Sequence, residues 1–148
     1  MIARDAEKDH NSAIQSIQSS LEKHHLPVPF HPFEYKSDSS SNLKVAFVIF
    51  PIEYDEQNNK IKFKSGALED LCISLLPNTH LMQCVDNYLD CAEKAEKPIT
   101  HRHKARFHAY LAGREGYAGI KLGEVADKNA WDWDHSLLTP YRNILKEM

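Results

Sequence analysis

Glycine is scarce, with five in 148 residues, and cysteine is scarcer still, with three. No apolar run is longer than Val45 to Phe50. Each shortage excludes something. The glycines at 113, 116 and 119 match neither the Walker nor the dinucleotide-binding pattern, so no Gly-rich phosphate loop is present. Cys72, Cys84 and Cys91 are odd in number, lack paired spacing and fall in segments that read as helix. They read as reduced, small core residues, which argues against a disulfide scaffold and for a cytoplasmic chain. The apolar run is far short of the about 20 residues that span a bilayer, and no charged-then-apolar leader opens the chain. No membrane role is expected. Positive charge is not in excess either: 18 Lys and Arg face 21 Asp and Glu, for a net charge of −3. That argues against a generally basic nucleic-acid surface, although charge is often local.

What is present suits a single domain over residues 1–148. Met1-Ile2-Ala3 reads as the end of a strand. Ala13, Ile14, Ile17 and Leu21 then recur at helical spacing, with Asp9, Asn11 or Ser12 as the cap. Pro27, Pro29 and Pro32 end that helix, and Ser37 to Ser41 reads as an exposed loop. Leu43 to Phe50 is apolar on both faces, as a central strand covered on two sides requires, and Pro51 stops it. Glu53 to Lys60 reads as a loop or a hairpin at Asn58-Asn59, leading to a short strand at Ile61-Lys62-Phe63. Beyond Gly66 the pattern is helical: Leu68 to Leu76 before Pro77, Leu81 to Ala92, Thr100 to Ala112, and Ser136 to Lys146. The order predicts an α/β fold, a small mostly parallel sheet flanked by helices, with a helical C-terminal half.

Three stretches carry candidate chemistry. Asp5, Glu7 and Asp9 alternate directly after a strand, and residues two apart on extended backbone share a side. Asp5 and Glu7 therefore converge on one point at the strand end where open α/β sheets bind ligands, or the acids cap the following helix. Glu69 and Asp70 follow Gly66 in the first turn of a helix, again either as dipole partners or as hard-cation ligands. From His101 to Arg114 there is no acid, while Arg102, Lys104, Arg106 and Arg114 supply positive charge. This is either a solvated basic face or a surface for phosphates.

Zinc finds no support, because His24-His25 and His101-Arg102-His103 lack a Cys-x-x-Cys or His-Glu-x-x-His partner pattern. Trp131 and Trp133 read as aromatics that close a core rather than stack on bases.

Several of these pieces, in this order, resemble one family. Ile2-Ala3-Arg4-Asp5-Ala6-Glu7, the strand Lys44 to Phe50, Gly66-Ala67-Leu68-Glu69-Asp70-Leu71, and His103-Lys104-Ala105-Arg106 with Tyr110-Leu111-Ala112 are similar to segments of the small Toprim-like proteins related to the OLD-type nucleases. Gly119, Leu122-Gly123 and Trp131 to Leu138 fit as well, so the resemblance covers nearly the whole chain. It implies a Toprim-like domain that gathers Mg²⁺ or Mn²⁺ for phosphoryl transfer on DNA or RNA. Asp5 and Glu7 would stand at the DxD positions, with Glu replacing the second Asp. Glu69 and Asp70 would be the later acids, Lys104 the basic residue beside the scissile phosphate, and Arg102, Arg106 and Arg114 the phosphate-positioning residues. It also implies a glutamate-bearing strand ahead of Asp5, whereas Met1 stands only four residues before it. The expectation is thus a domain truncated at its front, or a shortened form lacking that ligand. Three functional readings follow, the first two being a Mg²⁺- or Mn²⁺-dependent nuclease and a catalytically degenerate Toprim-like binding or scaffold protein. A subunit that buries a free sheet edge against a protein partner or in a homo-oligomer is the third.

Overall fold

Strand β1 (Ile2–Asp5) is short because the chain leaves the extended conformation at Glu7, with φ 54°, and helix α1 (His10–Lys23) begins within five residues. Asp9 caps α1: its carboxylate accepts the N–H groups of Asn11 and Ser12 at 3.0 and 3.1 Å and the Ser12 hydroxyl at 2.5 Å. The helix buries Ala13, Ile17 and Leu21, one stripe at helical spacing. These residues join Ala6, Val45, Phe47 and Ile49 in one apolar core. Each fully buried large side chain there contributes about 1.5–3 kcal/mol.

This computed structural model describes residues 1–76, 80–128 and 130–148. The predicted stop at Pro77 lies outside the described residues. Strand β2 (Tyr35–Asp38), strand β3 (Leu43–Phe50) and the hairpin of β4 (Ile52–Asp55) with β5 (Lys60–Phe63) follow α1. β3 is central, as its two-faced apolarity predicts: Val45 to Ile49 are all buried. The sheet, however, is mixed rather than mostly parallel. Its order is β1-β3-β2, with β1 parallel and β2 antiparallel to β3. The reason lies in the serine stretch read as loop. Both oxygens of Asp38 accept the Ser40 hydroxyl, Ser41 adds its own at 2.6 Å, and Asn42 takes φ 55°. That makes a tight turn, which folds Tyr35–Asp38 straight back along β3 as an antiparallel edge.

Helix α2 (Leu68–Ser74), α3 (His80–Ala95), α4 (Arg102–Ala112), α5 (Leu122–Asp127), a 3₁₀ turn (Ser136–Leu138) and α6 (Thr139–Glu147) complete the chain, so the C-terminal half is helical as expected. The fold is α/β and divides into two compact units, Met1–Leu68 with Asp134–Met148, and Glu69–Trp133. In the first, α6 is tied to the sheet where the Tyr141 hydroxyl donates to the Ile49 carbonyl at 3.1 Å. In the second, α3 buries Met82, Val85 and Leu89, and α4 buries Phe107, Tyr110 and Leu111. Gly113 permits a close approach there, since a Cβ on it would sit 2.7 Å from Leu81 Cδ1. Trp131 closes this core by stacking on Phe107, with ring centroids 6.5 Å apart. The cysteines depart from expectation. Cys72 is buried, but Cys84 and Cys91 are exposed, because the buried stripe of α3 runs through 82, 85 and 89. No helix among the described residues is long and apolar enough to cross a membrane.

Candidate functional site

The structure brings two sequence-predicted motifs together within the first unit. Past Asp5 the chain leaves the extended conformation, and Glu7 takes φ 54°. Residues 5 and 7 therefore do not share a strand face, because the two-residue rule requires extended backbone throughout. Instead the turn is stitched to the segment before α2. The Glu7 N–H donates to the Gly66 carbonyl at 2.8 Å, and the Gly66 N–H returns to the Glu7 carbonyl at 2.7 Å. Ser65 Oγ donates to the Lys8 carbonyl at 3.0 Å. Gly66, at φ 139°, meets this close backbone approach where a side chain is rarely tolerated. Asp5 completes the seam: Oδ1 accepts the N–H of Leu68, first residue of α2, at 2.8 Å from 63 positions away in sequence. A helix-start amide with no intrahelical partner is thus satisfied by an acid that sequence proximity cannot reveal.

Glu7 is exposed, Asp5 half-buried, and Ala6 between them is 1% exposed. A non-glycine residue with left-handed backbone costs on the order of 1–2 kcal/mol and persists where surrounding structure enforces it. Here the reciprocal Glu7–Gly66 bonds enforce it.

Within the second unit, Glu69 and Lys104 approach each other, with Oε1 3.9 Å from Nζ. Lys104 is half-exposed and Glu69 largely covered. Asp70 is half-buried in the same first turn, and its carbonyl accepts the Ser74 hydroxyl. Burial, with a smaller contribution from the Glu69 charge, pushes the Cys72 thiol up to about 12. A buried thiol held above its usual range is a poor nucleophile.

The basic stretch has a different surrounding from the one its sequence suggests. Arg102 bonds both Asp90 and Glu93 of α3. Arg106 makes a two-point contact with Asp86, Nε to Oδ1 at 2.6 Å and a terminal nitrogen to Oδ2 at 2.8 Å. The Arg106 guanidinium holds the Asp86 carboxyl below its usual range, and Asp90, ahead of Glu93, raises Arg102 above its own. Arg114 lies over the Tyr117 ring at 4.4 Å and the Tyr110 ring at 5.8 Å. Two of the three arginines assigned to phosphate thus carry an ion-pair ladder between α3 and α4. Sequence reasoning missed Asp86, Asp90 and Glu93. The available signal was the matching four-residue step: Asp86 and Asp90 on one helix, Arg102 and Arg106 on the next, paired in reverse order as an antiparallel helix pair demands.

Oxygen donors of the kind Mg²⁺ and Mn²⁺ prefer are present, but their number falls short. Among the described residues no group of three or more His, Cys, Asp or Glu side chains gathers to hold a metal ion. Asp5 and Glu7 belong to the first unit, and Glu69, Asp70 and Lys104 to the second. One oxygen of Asp5 already serves a backbone amide. Within neither unit do the described carboxylates supply the donor set of a resident ion.

The fold and this site define a class: an α/β chain with a parallel β1–β3 pair, an acid at the end of β1, and a basic helix neutralised by its neighbour. The chain belongs to the family described as "Protein of unknown function (DUF3226)", whose profile matches residues 1–148. No curated protein and no solved structure matches it.

Proposed function

We propose that the chain is a catalytically degenerate Toprim-like binding or scaffold module related to metal-dependent nucleases. The observation that carries this reading is the engagement of Asp5. The acid that the resemblance assigns to metal instead accepts the Leu68 N–H at 2.8 Å, a bond that fixes the β1–α1 turn against the start of α2. The ion pairs of Arg102 and Arg106 support it, because guanidinium groups held by carboxylates have little positive charge left for a phosphate backbone. A cytoplasmic location belongs to the same proposal and is supported by three free cysteines.

The test incubates the protein with single-stranded DNA, duplex DNA and RNA in Mg²⁺ or Mn²⁺, alongside a calorimetric Mn²⁺ titration. No cleavage and no stoichiometric Mn²⁺ binding are expected. Cleavage that disappears in Asp5→Ala, or Mn²⁺ binding that vanishes in Glu69→Ala, overturns the proposal. Either result would favour the second reading, a phosphodiester-cleaving enzyme acting on DNA or RNA. That reading draws on the enforced left-handed backbone of Glu7 and on the approach of Lys104 to Glu69.

A further inference from the structure

We propose that β2 is a dimerisation edge, which pairs antiparallel with β2 of a second copy of this chain. Among the described residues the order β1-β3-β2 leaves β2 hydrogen-bonded to a strand on one side alone, and its residues are exposed or half-exposed. A lysine on a free edge ordinarily discourages pairing. On β2, however, Lys36 is followed two residues later by Asp38, so the two charges stand on one face. When two copies of β2 run antiparallel with Ser37 opposite Ser37, each Lys36 falls opposite the second copy's Asp38, and two opposite-charge cross-strand pairs form. Sliding the register by two residues either way places Lys36 opposite Lys36, or Asp38 opposite Asp38, and is repulsive. The charge pattern therefore selects one register and one symmetric partner.

An edge of four residues is too small to hold two chains, and the neighbouring surface supplies the rest. Phe30 is 73% exposed, more than any other large apolar side chain among the described residues, with Lys36 Nζ 4.8 Å above its ring. Leu26 and Tyr35 are exposed nearby in sequence. Glu22, Leu26, Phe30 and Lys36 line a groove of about 410 Å³. Gln18 ties down the backbone beneath Phe30, because its amide donates to the carbonyls of both Pro29 and Phe30 at 3.1 Å. The Ser41 hydroxyl, followed by the N–H and hydroxyl of Ser40, holds the Asp38 carboxyl below its usual range. The pairing is isologous: the order becomes β1-β3-β2-β2-β3-β1, and growth stops at two copies. It requires nothing of the carboxylates at β1, so it stands or falls independently of the scaffold reading.

The experiment is sedimentation velocity with light scattering from about 1 to 500 µM protein. The mass is expected to rise with concentration from 17.0 kDa toward twice that value. Lys36→Glu is expected to weaken association about tenfold or more, and Phe30→Ala to weaken it as well. Lys36→Glu and Asp38→Lys chains, each weakened alone, are expected to form a mixed dimer more tightly than either associates with itself, since both cross-strand pairs are then restored. Circular dichroism checks that each variant is folded; if Asp38→Lys is not, the Lys36→Glu and Phe30→Ala titrations decide. A wild-type chain that stays at 17.0 kDa throughout, or a dimer equally strong in Lys36→Glu and Phe30→Ala, overturns the proposal.

Discussion

Removing Arg106 tests whether α4 is a phosphate surface or one half of a helix pair. The contact with Asp86 is two-pronged, at 2.6 and 2.8 Å, with the arginine 33% and the aspartate 39% exposed. Solvent screening at that exposure confines the pair to the range of surface ion pairs, about 0.2–1 kcal/mol. The fork geometry places it near the top of that range. A double-mutant cycle over Arg106→Ala, Asp86→Ala and the double variant, followed by urea unfolding, should give a coupling of about 0.7–1 kcal/mol at pH 7 and low salt. The Asp86 carboxyl titrates lower in the folded chain than in the unfolded one, so the stabilisation is fully present above the unfolded value of about 3.9. It is lost as the pH falls through the lower folded value. Repeating the cycle in about 1 M salt should shrink the coupling, because the screening length falls to about 3 Å. A coupling below about 0.3 kcal/mol refutes the ladder. So does an Arg106→Ala chain of unchanged stability that has lost affinity for nucleic acid.

Three other outcomes follow from the same geometry. Asp9→Ala should lower the melting temperature by about 2–4 °C through loss of the α1 cap. Because the Ser12 hydroxyl and then the Asn11 amide hold the Asp9 carboxyl below its usual range, the wild-type advantage should disappear as the pH drops through that lowered value, in thermal scans between about pH 7 and 2. Glu7→Gly should raise stability by about 0.5 kcal/mol or more in urea unfolding, since glycine adopts φ 54° without strain; a destabilised variant would show that the Glu7 side chain holds the turn. A thiol-disulfide reagent should modify Cys84 and Cys91 in the native chain and reach Cys72 only after unfolding, and rapid native reaction of all three would contradict its burial.

Periodicity recovered what local sequence controls. The buried stripe Ala13, Ile17, Leu21 of α1 is visible in spacing alone, and so is the two-faced burial of Val45 to Ile49, because each depends on residues within one element. The sheet's hand of pairing was not legible. Whether Tyr35–Asp38 is loop or strand depends on a turn built from Asp38, Ser40, Ser41 and Asn42, in which side-chain bonds and one positive φ outweigh the weak strand propensity of a Ser-rich run. The same holds for β4, where Ile52–Asp55 looks like loop until its pairing with Lys60–Phe63 is known.

The candidate site divides along the same line. Asp5 and Gly66 are readable as parts of two separate motifs, each ahead of a helix start, but Asp5 as the acceptor for Leu68 is a tertiary fact with no local signature. Charge misleads in a more instructive way. Between His101 and Arg114 no acid occurs, and a window of that width reports a basic surface. The neutralising charges sit a helix earlier, at Asp86, Asp90 and Glu93. Two helices joined by a short connection run antiparallel, so a charge at one position faces a charge whose number falls as the first rises. Arg102 with Asp90 and Arg106 with Asp86 obey that reversal over a full turn. A basic run on one arm of such a pair is therefore evidence for a nucleic-acid surface only after the reversed positions on the other arm have been checked for acids, and here they are acidic.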